Sequence, residues 1–89
     1  MNKKTVKALQ ELQEQLHNAE FASGDDRELI NHLRNDIQKL LARSGEYSES
    51  ESQTLREKLE DAIGRYEASH PELTSVMSQV VGSLSNMGL

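Results

Sequence analysis

The chain has 89 residues, a net charge of −5, no cysteine, 35% hydrophobic and 3% aromatic residues. A chain this short supports at most one small core, so a single domain spanning residues 1–89 is expected, with self-association an attractive source of extra burial. The acidic balance and scattered Lys and Arg argue against a nucleic-acid surface, and the missing thiols exclude cysteine catalysis, Cys-based zinc sites and iron–sulfur clusters.

A first helix is expected over about residues 2–21, because Val6, Leu9, Leu12, Leu16 and Ala19 recur at three- and four-residue spacing and make one stripe. Lys3, Lys4, Lys7, Glu11 and Glu14 fall largely outside it, with Lys7 and Glu11 placed for an i,i+4 pair. This basic start leads into an interleaved pattern rather than an apolar run, so no signal peptide is read and the cytoplasm is expected. Ala22-Ser23-Gly24 interrupts the pattern, with Gly24 suited to a left-handed helix end.

Asp25, three residues before Glu28, has the form of an N-cap for a second helix over about residues 26–43. Leu29, Ile30, Leu33, Ile37, Leu40 and Leu41 give it a wide apolar arc, as a helix with two neighbours requires. Residues 44–52, rich in Ser and Glu after Arg43, read as a solvated loop whose acidic context also suits kinases. A third helix over about 51–69 follows, carrying Leu55, Leu59, Ala62, Ile63 and Tyr66, with Asp61 and Arg65 in the favourable acid-first order. Gly64 inside it reads as a close helix crossing, or else as an exposed glycine that the helix tolerates.

Ser69-His70-Pro71-Glu72 has the form of a capping box, Ser69 as N-cap and Pro71 in the first turn, launching a fourth helix over about 71–86. From Leu73 to Leu89 no side chain is charged. Leu73, Val76, Met77, Val80, Val81, Leu84 and Met87 gather on one face, and Ser75, Ser78, Gly82 and Ser85 on the other. Small residues let another backbone approach closely, so both faces are expected to pack, and Gly82→Leu to overpack. Leu73, Val76, Met77, Val80, Val81, Gly82, Leu84 and Met87 are therefore the candidate interface. The serines, Gln79 and Asn86 make a membrane span implausible.

Residues Arg65-Tyr66-Glu67-Ala68-Ser69-His70-Pro71-Glu72-Leu73-Thr74 and Leu84-Ser85-Asn86-Met87-Gly88-Leu89 resemble a bacterial family, domain of unknown function 4404. The likeness spans nearly the whole chain. It implies a compact all-helical bacterial protein and carries over no catalytic residue.

Little else points to chemistry. Glu67 and His70 have the Glu-x-x-His spacing of a metal-binding bundle, but in one copy and beside Pro71. Glu28, His32 and Asp36 share a helical edge, and His17 lies between Glu14 and Glu20, both ordinary solvated spacings. The glycines form no phosphate cradle. The expectation is an all-α chain, a small antiparallel bundle of four helices or helical hairpins completed by a dimer. A non-enzymatic interaction or structural module is expected, acting as a homodimer or on a protein partner, with no cofactor, nucleic acid, membrane or small-molecule substrate. A metal-binding bundle through Glu67 and His70 is the alternative.

Overall fold

Leu9, Leu12 and Leu16 set the phase of the first helix, and the computed structural model shows what else that phase buries. The structure describes residues 3–21, 23–43 and 49–86. Helix α1, Lys3–Asn18, buries Thr5, Ala8, Leu9, Leu12 and Leu16. Thr5 stands one turn before Leu9 and is 1% exposed, whereas Val6, about 100° around the helix, is half-buried. Phase thus outranks hydrophobicity at this position. The helix also ends earlier than expected, so Phe21 is free to fold across the end of the bundle.

Helix α2, Gly24–Ala42, is capped by Ser23, not by Asp25. Ser23 is extended at φ −83°, ψ 140°; its hydroxyl accepts from the Asp26 amide at 3.4 Å and its carbonyl from the Arg27 amide at 3.1 Å. Gly24 therefore opens α2 rather than closing α1, and Asp25 and Asp26 occupy the first turn, where the helix dipole favours acids. Ile30, Leu33, Ile37 and Leu40 are buried, with Leu29 and Leu41 packed at the margin, which is the wide arc expected.

Helix α3, Glu49–Tyr66, begins inside the stretch expected to be a loop; residues 44–48 of that stretch, and Met87 of the candidate interface, lie outside the described residues. Ser52 is buried with Leu55, Leu59, Ala62 and Tyr66. The helix stops at Tyr66, and the turn that follows is held by His70 N–H donating to Tyr66 O at 2.7 Å. Helix α4, Pro71–Asn86, takes its first backbone bond from Thr74 N–H to His70 O at 3.1 Å. His70, not Ser69, thus stands at the N-cap, with Pro71 at the first helical position, where its missing amide costs nothing.

The four helices form a ring in which α1 meets α2 and α4, and α3 meets α2 and α4. Among the described residues the backbones of the diagonal pairs α1/α3 and α2/α4 do not come within 8 Å of each other. Tyr66 at the end of α3 reaches Asp26 at the start of α2, and Arg56 early in α3 reaches Ser85 late in α4, so successive helices run antiparallel. The bundle measures 36 × 20 × 20 Å, and Leu9, Leu12, Leu33, Ile37, Leu55, Leu59, Met77, Val80 and Leu84 fill its axis. The α4 contacts to α1 and α3 are the most extensive. The α2/α3 seam is the thinnest, bridged by Lys58 Nζ to Asp36 Oδ2 at 2.7 Å and by Arg43 to Glu51.

The glycines inside α3 and α4 correct an expectation. Gly64 and Gly82 are exposed, and a Cβ added to either would meet nothing within 4 Å, so neither marks a close crossing inside the chain and Gly82→Leu has nothing to overpack within it. With the contact explanation gone, only the entropic cost of glycine remains at Gly64. Gly64→Ala should raise stability by about 0.5–1 kcal/mol in a denaturant titration; a loss of stability would show that α3 needs the glycine for a contact.

Candidate interaction surface

Helix α4 uses its two faces differently. Leu73, Val76, Met77, Val80 and Leu84 of the candidate interface are buried in the chain's own core, and Val81 is packed against its margin. Gly82 alone of the described candidates stands in the open. Around it Ser75, Ser78, Gln79 and Ser85 are exposed as well. After Glu72, no charged group of α4 interrupts this outward strip, which ends at the Arg56 contact to Ser85 Oγ, 3.3 Å.

On its other flank the strip borders α1 across a shallow groove of about 370 Å³ lined by Lys4, Lys7, Ala8 and Glu11 on one side and Gln79, Gly82 and Ser83 on the other. A smaller groove of about 180 Å³ follows the α2/α3 seam over Leu40 and Leu55, with Lys39, Asp36, Lys58 and Glu51 at its rim. Its Asp36 and Lys58 are already paired with each other.

One end of the bundle is closed by aromatic rings. Phe21 packs edge-on to Tyr66 with centroids 5.0 Å apart, and lies 4.6 Å from the His70 ring. Tyr66 and His70 are themselves 6.2 Å apart. The Tyr66 hydroxyl donates to Asp26 Oδ1 at 2.8 Å, and Arg27 Nε donates to the Phe21 carbonyl at 3.0 Å. This cluster joins the end of α1 to the starts of α2 and α4 and the end of α3. Periodicity could not reveal it, because its members lie up to 49 positions apart in sequence.

That arrangement gives His70 a packing role. Glu67 is exposed in the turn while the His70 ring is half-buried against Phe21, and among the described residues no three His, Asp or Glu side chains gather to hold a metal ion. Nor do Glu28, His32 and Asp36 act together: His32 lies 4.0 Å from Glu28, and Asp36 is taken by Lys58. His17 Nδ1 sits 3.3 Å from Arg34 Nη2; because a guanidinium can only donate, that ring nitrogen is the acceptor. Of the expected helical ion pairs, Asp61 and Arg65 meet at 3.1 Å, whereas Lys7 and Glu11 do not bridge.

Burial pushes the Tyr66 phenol up from 10.0 to about 12, and the hydrogen bond to Asp26 and its negative charge act in the same direction. The neutral phenol is therefore the form the fold prefers. Its contribution is complete below the unfolded value of 10.0 and is lost as pH rises towards about 12. Tyr66→Phe should cost about 0.5–1.5 kcal/mol near neutral pH. The denaturation midpoints of the two proteins should converge between pH 10.0 and about 12, and equal stabilities near neutrality would show that the bond contributes nothing.

No helix of the described residues is long and apolar enough to cross a membrane. Neither a curated protein nor a solved structure matches the chain. One family model does, over residues 6–89, from within α1 through the whole of α4 and beyond. The chain belongs to that family, the domain of unknown function DUF4404.

Proposed function

We propose that this chain is a non-enzymatic interaction or structural module of the bacterial cytoplasm, working through self-association or a protein partner. The observation that carries the reading is the outward strip of α4: Ser75, Ser78, Gln79, Gly82 and Ser85 are exposed and uncharged on a protein of which 28% is charged. Small uncharged side chains cost little to desolvate and let a second backbone come close, so such a strip suits helix-on-helix contact. A purely solvated helix gains from charges on its outer face, as the other three helices carry.

Gly82 sits near the middle of the strip with open space above it, so a large charged residue there disturbs the surface while leaving the core alone. Gly82→Arg should keep the helical circular dichroism and cooperative melting of the parent. It should also lose whatever assembly the parent shows, both its mass by light scattering and any protein that co-purifies with it from the native host. If the variant retains the same mass and the same co-purifying protein, the outer strip of α4 is not the working surface.

A further inference from the structure

The α1 flank of the strip carries a charge order that matches its own reverse. Lys4, Lys7, Glu11 and Glu14 are all exposed and recur at spacings of three, four and three, so they form one line along α1. Lys4, Lys7 and Glu11 face the groove against α4. Read from one end the line is two positive charges then two negative ones, and an antiparallel copy presents the complement at each position. Among the described residues none of the four has an ion pair or side-chain hydrogen bond, whereas Lys58, Asp36, Asp61, Arg65 and Arg43 all do.

The sign changes between Lys7 and Glu11, and Gly82 lines the same groove from the α4 side with open space above it. A two-fold axis must pass where the charge order inverts, because an isologous interface brings every residue near the axis against its own equivalent.

We propose that a second copy of this chain docks on the α1/α4 face, antiparallel, about a two-fold axis near Gly82, so that Lys7 and Lys4 of each copy meet Glu11 and Glu14 of the other. This rests on the reading of α4 as an interaction surface and gives it a partner and a register. The inner pairs lie about 3 Å along the helix from the axis and the outer pairs about 7.5 Å, at a rise of about 1.5 Å per residue. The charges fix orientation and exclude a parallel arrangement, and the small strip of α4 supplies the close contact. Screening makes the assembly weaker as salt rises.

The test is sedimentation of the full chain over a range of concentrations, with two charge-swapped variants. Lys4→Glu with Lys7→Glu makes the line wholly acidic; Glu11→Lys with Glu14→Lys makes it wholly basic. All four positions are exposed, so both variants should fold, as circular dichroism would verify. Each alone should dimerise at least about fourfold more weakly than the parent, since four symmetry-related exposed pairs are lost and each contributes about 1.4- to 5-fold. An equimolar mixture of the two should form a heterodimer, and all four substitutions in one chain should restore the homodimer.

Failure of the mixture to associate, while Gly82→Arg still abolishes the parent dimer, would overturn the antiparallel register and leave the α4 surface standing. A parent chain that sediments as a monomer throughout would overturn the second copy as partner. Co-purification of another protein that depends on Gly82 would then place the surface with a different occupant and overturn this proposal.

Discussion

The bundle depends on the apolar face of α4. Its contacts with α1 and α3 are the most extensive in the molecule, while α2 and α3, neighbours in the chain, meet across a thin seam. Leu73, Val76, Met77, Val80 and Leu84 therefore hold α3 to the α1–α2 hairpin. The ion pairs along the α2/α3 seam cannot substitute for them: exposed pairs contribute about 0–1 kcal/mol, whereas burying one large aliphatic side chain contributes about 1.5–3 kcal/mol. Contact between helices distant in sequence thus closes a ring that short connections alone leave open.

The aromatic end fixes the geometry in which that face is delivered. α4 starts where His70 caps it, and the His70 ring is packed against Phe21, which lies beyond the end of α1. Tyr66 ties the same corner to the start of α2 through Asp26. The turn between α3 and α4 is therefore held by backbone bonds and by side chains from the other half of the chain. His70-Pro71, with its spacing from Glu67 suggestive of metal chemistry, is explained by this packing: proline preorganises the first turn and the ring seals the corner.

Much of this was legible in the sequence, and the misreadings have physical causes. Four helices follow from apolar spacing, because a three-and-four repeat has no other way to bury its residues together. The caps moved by one or two positions: Ser23 and Asp25 are both competent, and the choice lies in backbone dihedrals that residue type does not determine. Thr5 displaced Val6 because Leu9, Leu12 and Leu16 fix the helical phase. Gly64 and Gly82 pointed to close crossings, but glycine lowers a surface whether or not anything covers it, and both stand outward. The Phe21, Tyr66 and His70 cluster has no sequence period. The order of Lys4, Lys7, Glu11 and Glu14 was visible, but its meaning needed the neighbouring helix.

The same helix that completes the core is the one left without charge on its outside after Glu72, and under the proposed association this would link folding to binding. α4 must form for α3 to be held, so its outer strip exists as a surface only in the folded chain. A partner on that strip would bind the native state and not the unfolded one, and would stabilise the fold by mass action. The gain matters most in a chain this short, where the core alone gives a narrow margin. Charge on the outer face of α4 would improve its solvation but would also weaken helix-on-helix contact there. The charges instead lie on the flanking helix, where Lys4, Lys7, Glu11 and Glu14 keep the region soluble and can select the orientation of what binds. In the proposed assembly, orientation and close contact would be divided between α1 and α4, with the core face of α4 supporting both.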